Sequence, residues 1–184
     1  MLAYVFWHWP RPEVAPDDYE SVQRRFHTAL ATVPPPGFRR SWSVAVHGAP
    51  WTGAGAAYED WYLLDGSAAL DPLNTAAVTA SRQAPHDAAA ALAANGTAGL
   101  YTVKLGAPVA PPQVATWFAK PTGMSYPELF SVLAPLVRTK GAVMWLRQMV
   151  LGPTPECCLH SERPLELPSQ FAPLRLECRT VWAG

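Results

Sequence analysis

Charge is scarce in this chain. Only 15% of its residues are Asp, Glu, Lys or Arg, and the 14 acidic and 14 basic side chains cancel. A nucleic-acid partner needs a basic face and a polybasic membrane patch needs clustered Lys and Arg, so neither partner is expected. Cysteine is scarce too. Cys157, Cys158 and Cys178, an odd count with one vicinal pair, make no disulfide framework, and a reducing cytoplasmic location is expected. Long apolar runs are missing: none approaches the about 20 residues that span a bilayer. Met1–Trp9 lacks a positive leading region, and Pro10-Arg11-Pro12 cuts off any apolar continuation, so no secretory signal is expected. The glycine-rich dinucleotide fingerprint, the P-loop, HExxH and GxSxG are all absent. Dinucleotide, nucleoside-triphosphate and standard hydrolase chemistries lose their main support with them.

What the chain does have is aromatic side chains and proline: eight Trp, six Tyr, six Phe and 20 Pro. Aromatics bury large areas, so part of that load is core and the rest is available to line a cavity or an interface. The organising stretch is Ala3–Pro10, AYVFWHWP, which reads as the first, central strand of a sheet. Helix follows, with Asp17 or Asp18 as cap and Tyr19, Val22, Phe26 and Leu30 on one apolar face; Glu20, Gln23, Arg24 and Arg25 are placed on the wet side. Pro34-Pro35-Pro36-Gly37 ends it. Arg39–His47 and Ala57–Leu64 read as a hairpin around a loop at Gly48–Gly55. Leu70–Asn95 is alanine-rich and helical with a break at Pro85, and Gly99–Leu105 is a fourth strand. The order is βαββαβ.

Gly106–Pro112 reads as a stiff proline-rich linker, after which the pattern resumes. Val114–Lys120 is a strand. Ser125–Val137 is a helix opened by a capping box of Ser125 and Glu128, with Tyr126, Leu129, Leu133 and Val137 at the spacings of Tyr19, Val22, Phe26 and Leu30. Ala142–Leu151 and Glu156–Ser161 pair as strands. Glu162–Ala172, holding Pro164 and Pro168, is expected to keep at most a single turn at Pro168–Phe171, and Leu174–Trp182 is the last strand. Together with the strand–proline openings Trp9-Pro10 and Lys120-Pro121, this reads as an internal duplication.

A βαββαβ unit is the ferredoxin-like split-βαβ motif, whose sheet has helices on one face only. Two tandem copies can cover each other's bare faces. The expected fold class is α+β: two ferredoxin-like units, residues 1–106 and 113–184, packed sheet to sheet in one compact unit. In its order of elements the chain resembles the dimeric α+β barrel superfamily, which includes antibiotic-biosynthesis-monooxygenase-like and chlorite-dismutase-like proteins. The resemblance implies a small, mostly apolar ligand between the sheets. No haem-ligand or substrate residue of those families maps onto a position here.

Strand alternation puts Tyr4, Phe6 and His8 on one face of the first strand, and these are expected to face the inter-sheet space, with His8 as acid/base or else simply hydrogen-bonded at a strand end. Trp145 and Arg147 share a strand face; Arg147 is placed to clamp a carboxylate or to pair within the sheet with Glu177. The hairpin carries Arg40, His47, Asp60 and Tyr62, and Asp60 with His8 or His47 makes a base–orienter pair if they meet. Cys158 and His160 share a face but are too few for zinc. Asn74, Arg82, His86 and Asp87 surround the helix break, which is either ordinary capping or a lid. The substrate-binding set is therefore Tyr4, Phe6, His47, Tyr62, Trp145, Arg147 and His160, with His8 catalytic, no metal, and no cofactor. Three functions fit: a small-molecule barrel of oxygenase, isomerase or cyclase type; a haem-handling barrel using one of the histidines; and a non-catalytic protein whose centre is filled by its own aromatics. A monomer or a homodimer is expected.

Overall fold

The computed structural model describes residues 1–53 and 55–184. Its elements are β1 (Leu2–Pro10), α1 (Pro16–Thr32), β2 (Phe38–His47), β3 (Ala56–Leu64), α2 (Leu70–Ala77), α3 (Gln83–Leu92), β4 (Ala93–Leu105), β5 (Val114–Phe118), α4 (Tyr126–Lys140), β6 (Val143–Arg147), β7 (Cys157–Ser161), β8 (Leu174–Glu177) and β9 (Arg179–Ala183). All described strands belong to one antiparallel sheet, ordered β8-β5-β7-β6-β4-β1-β3-β2-β9. The fold is thus mixed α+β. The two ends of that order, β8 and β9, are consecutive in the chain with only Cys178 between them. β8 pairs with β5 and β9 pairs with β2, so the two ends of the order meet along one split strand and the sheet curls round on itself.

Most elements lie where sequence pattern puts them, and the departures have local causes. The first helix is opened by Ala15 and Pro16 rather than by an Asp cap; Asp17 and Asp18 sit in the first turn, where they complement the helix dipole. The capping box of Ser125 and Glu128 is present, and Gly141 closes α4 in the left-handed conformation. β4 starts at Ala93, ahead of the expected Gly99, so Asn95-Gly96 lies within a strand: Trp9 pairs with Asn95 and His8 with Gly96. The last strand is split at Cys178, and β6 stops at Arg147 because the chain turns at Gln148–Leu151. Between Glu162 and Ala172 there is a single 3-10 turn, Ser169–Phe171. The expected loop Gly48–Gly55 contains Ala54, which lies outside the described residues.

The sequence-based choice of inner face is reversed by the structure. Ala3, Val5 and Trp7 point into the closed sheet, whereas Tyr4, Phe6 and His8 point outward under the helices. Both faces of β1 are apolar, so alternation fixes which residues travel together but not which way they look. Indoles settle the matter: Trp7, Trp42, Trp61, Trp117 and Trp145, with Tyr101, fill the interior and are at most 1% exposed. Their rings meet at tilted or edge-to-face angles, for example Trp61 and Trp145 at 5.1 Å and Trp7 and Trp117 at 5.8 Å, the geometries aromatic quadrupoles favour. The inter-sheet space is therefore occupied by side chains. On the outside, α4 covers β5–β7 through Leu129, Leu133 and Val137 against Phe118, Met144 and Leu159. The helices α1, α2 and α3 cover β1–β3.

The aromatic interior also carries a histidine and a glutamate. The Trp145 indole donates to His160 Nδ1 at 3.1 Å, and burial holds the His160 imidazole down at about 3, so it is neutral. Glu59 is fully buried; its Oε2 accepts the Trp61 indole N–H at 3.2 Å, yet burial pushes its carboxyl up to about 7. Burial likewise raises all three thiols, Cys157 to about 12, which makes them inert core residues. No helix among the described residues is long and apolar enough to cross a membrane.

Because the fold prefers the protonated form of Glu59, its contribution to stability is complete below the ordinary value of 4.5 and is lost as pH rises through about 7. Glu59→Gln removes that dependence. Comparing urea denaturation of the two proteins, the stability difference should swing toward the variant by on the order of 3 kcal/mol between about pH 4 and about pH 9. Parallel pH profiles would show that Glu59 does not titrate in this range.

Candidate functional site

The described cavity with a built interior lies between the outer face of β1–β3 and the helices above it, with a volume of about 580 Å³. Register explains its floor. Tyr4 faces Tyr62, Phe6 faces Asp60 and His8 faces Tyr58 across the β1–β3 ladder, so all six side chains share one face. Helix α1 runs over that face and contributes Tyr19, Gln23 and Phe26. The roof is the broken α2–α3 segment, which presents Leu70, Leu73, Ala77, Ala89 and Ala90. Short alanine side chains are what leave the space unfilled. Arg82 pins the break, its Nε donating to the Ala76 carbonyl and its Nη1 to the Val33 carbonyl, both at 2.7 Å. Asp71, Asn74 and Asn95 are exposed and mark the mouth; His8, Tyr19, Asp60 and Tyr62 are buried and form the closed end.

At that closed end three groups converge on a single oxygen, Asp60 Oδ2. His8 Nε2 stands 3.2 Å away, His27 Nε2 3.1 Å away, and the Tyr62 hydroxyl donates at 3.0 Å. The other nitrogen of each imidazole is also engaged: His8 Nδ1 with the Tyr19 hydroxyl at 2.7 Å and His27 Nδ1 with the Ser41 hydroxyl at 2.8 Å. Burial alone pushes the Asp60 carboxyl up, but His27 and then His8 outweigh it and hold the group well below the usual carboxylate range. Burial, reinforced by the Asp60 charge, pushes the phenols of Tyr19, Tyr62 and Tyr4 up, so all three keep their protons near neutrality. The arrangement is a carboxylate that orients an imidazole, which in turn meets a phenol, at the closed end of an aromatic pocket. That chemistry suits proton transfer.

Of the residues singled out from sequence, Tyr4, Phe6, His8, Asp60 and Tyr62 come together here. The others do not. Trp145 and His160 face the barrel interior on the opposite side of the sheet. His47 sits at the exposed end of β2. Arg147 neither reaches the cavity nor pairs with Glu177; its Nη1 donates to the carbonyls of Gly152 (3.1 Å) and Thr154, stapling the turn after β6. His86 and Asn74 line the cavity wall. Among the described residues no group of three or more His, Cys, Asp or Glu side chains is arranged to hold a metal.

Tyr19 and His27 are the functional candidates that sequence reasoning passes over. Tyr19 is absorbed into the apolar stripe of α1, and His27 lies one residue beyond that stripe. The available signal is a second ridge: Tyr19, Gln23 and His27 recur every four residues and so lie along one side of the helix. Glu20 and Gln23, placed on the wet side by pattern, are buried instead; Arg179, Arg24 and Tyr58 hold the Glu20 carboxylate and keep its pKa low.

Removing one partner of a buried ionic cluster strands the others. Asp60→Ala should cost about 3 to 5 kcal/mol in urea denaturation near neutral pH, and Tyr62→Phe about 1 kcal/mol. An Asp60→Ala protein as stable as the parent would show that the cluster contributes nothing to the fold.

No family model matches the sequence, and no curated protein matches it. Among solved structures the chain is similar to one described as an anthrone oxidase-like protein, with a TM-score of 0.51 at 10% sequence identity over 100% of this chain and 92% of that one. At that identity the likeness is one of fold, an α+β barrel.

Proposed function

We propose that the chain binds an uncharged, flat aromatic molecule in the cavity under α1–α3 and transforms it by proton transfer, as an oxygenase, isomerase or cyclase type of enzyme. The observation that carries this reading is the buried His8–Asp60 pair at the closed end of a cavity walled by Tyr4, Phe6, Phe26 and Tyr62. Ligand charge follows from the lining. It includes Asp60 and Asp71 but no Lys or Arg, so an anionic ligand meets no counter-charge and loses its hydration on entry. Arg147, the carboxylate clamp expected from sequence, is elsewhere. The name printed for the structural neighbour adds a choice of probe: an anthrone is an uncharged tricyclic ketone, the class of molecule this lining favours.

The two halves also support reading the chain as a duplication of a ferredoxin-like unit. The first runs β4-β1-β3-β2 and the second β8-β5-β7-β6, the same order when strands are counted from each half's start. α4 then corresponds to α1, and the 3-10 turn at Ser169–Phe171 to the α2–α3 roof. Such a duplication lets one chain form a closed barrel without a second copy, which favours a monomer.

Haem is the competing ligand class. His8 suits it poorly, since both ring nitrogens already face Tyr19 and Asp60. His86, half-buried in the cavity wall, is the histidine a haem iron would use.

Calorimetric titration with an anthrone-type ketone, its carboxylated analogue and haem tests these readings. The neutral ketone should bind, and the carboxylate about tenfold or more weaker. Ala77→Phe, which places a ring in the cavity from the roof, should abolish binding while leaving the circular-dichroism spectrum unchanged. Tighter binding of the acid, or binding that survives Ala77→Phe, would overturn the assignment. A Soret band lost on His86→Ala would establish haem instead.

A further inference from the structure

We infer that Tyr19, His8 and Asp60 form a proton relay whose ligand-facing end is the Tyr19 hydroxyl, and that the ligand accordingly carries a phenolic hydroxyl or an enolisable ketone. This deepens the reading of the cavity given above and rests on it. The argument begins at the carboxylate. The Asp60 carboxylate oxygen lies 3.2 Å from His8 Nε2; an ionised carboxylate only accepts, and a lone pair facing it would be repelled, so that nitrogen carries the ring proton. His8 Nδ1 is then a lone pair. The Tyr19 oxygen, 2.7 Å away, can only donate to it. His8 therefore has no free nitrogen to offer a ligand, whereas the Tyr19 oxygen, its proton turned toward His8, has lone pairs left over on a side chain that lines the cavity.

The step balances without any oxidant. The ligand O–H bond, or the C–H bond next to its carbonyl, breaks and its proton passes to the Tyr19 oxygen as the Tyr19 proton passes to His8 Nδ1. His8 becomes an imidazolium facing Asp60, which stays a carboxylate, and the ligand is left as a phenolate or enolate. Tyr19 never has to exist as a free phenolate. A raised phenol pKa is thus no obstacle, because the base strength comes from the imidazole. His27 has a different place. It is fully buried, does not line the cavity, and reaches the same Asp60 oxygen from the far side with Ser41 behind it. It is a positioning residue that fixes the carboxylate on which the relay ends. The polar and ionisable side chains packed around the relay are Tyr4 from β1, Gln23 and His27 from α1, Ser41 and Ser43 from β2, Tyr58 and Tyr62 from β3, and His86 from α3.

Two measurements test the relay. The first needs no ligand: two-bond proton–nitrogen NMR of the histidine rings should show His8 as the Nε2–H tautomer with Nδ1 accepting a hydrogen bond, and Tyr19→Phe should remove that hydrogen bond without changing the tautomer. An Nδ1–H tautomer in the parent protein overturns the proposal. The second uses a hydroxyanthraquinone, an uncharged planar phenol that changes colour on ionising. Its ionisation midpoint when bound should lie about one pH unit or more lower in the parent than in Tyr19→Phe or His8→Gln. If Tyr19→Phe ionises the probe as readily as the parent, the proton goes to His8 directly and Tyr19 has no such role. If the parent binds the probe but no variant shifts its midpoint, the relay fails and the cavity reading stands. If the parent does not bind it at all, the cavity reading fails and the relay with it.

Discussion

A single oxygen, Asp60 Oδ2, holds the working half of this molecule together. An isolated buried carboxylate costs several kcal/mol, and the chain meets that cost by bringing donors from separate elements to it: His8 from β1, His27 from α1 and Tyr62 from β3 itself. Ser41 on β2 and Tyr19 on α1 then fix the two imidazoles from behind. A charge in this position forces α1 to lie at one height and one rotation over the sheet, because only then do Tyr19 and His27 reach their partners. The geometry that satisfies the charge is also the geometry that places Tyr19 and His8 at the closed end of the cavity.

The opposite face of the same strands obeys a different constraint. There the interior is aromatic, and burial works against the charged form of its ionisable members, holding His160 down at about 3 and pushing Glu59 up to about 7. β1 and β3 thus separate two environments a few ångströms apart, one that sustains ionised groups and one that suppresses them. The alternation of a strand is what makes this possible, since Glu59 and Asp60 are neighbours in sequence and look in opposite directions.

Much of this organisation is legible in the sequence, and the gaps have physical causes. The elements follow from periodicity, proline and capping, as at Ser125–Glu128. The pairing of His8 with Asp60 is readable only as a conditional, because alternation gives each a sheet face but not that β1 and β3 lie side by side. What a single sequence does not contain is the sign of a strand's orientation when both faces are apolar, which is why Tyr4, Phe6 and His8 are assigned to the wrong side of the sheet; Trp145 and His160 do face the barrel interior, but side chains fill it. Tyr19 is hidden for a related reason. A tyrosine on an apolar helical stripe looks like core until its hydroxyl is seen against His8. Arg147 shows a further limit: an arginine at a strand end can equally clamp a ligand or hold a turn, and here the turn's own carbonyls claim it.

Closure by a split strand has a kinetic side. The walls of the cavity come from Tyr4 through Gly96, and the ladders beneath it join Tyr4 to Tyr62 and to Leu100, already across long stretches of chain. The seam between β9 and β2 joins Val44 to Thr180 and Ser43 to Trp182, among the most distant contacts the chain makes. Pairings of such long sequence separation form slowly, because the entropy of closing the loop must be overcome before any contact rewards it. The Glu20–Arg179 contact and the stacking of Trp182 on His27 tie that seam to α1, so the helix that carries Tyr19 and His27 is braced by the far end of the chain.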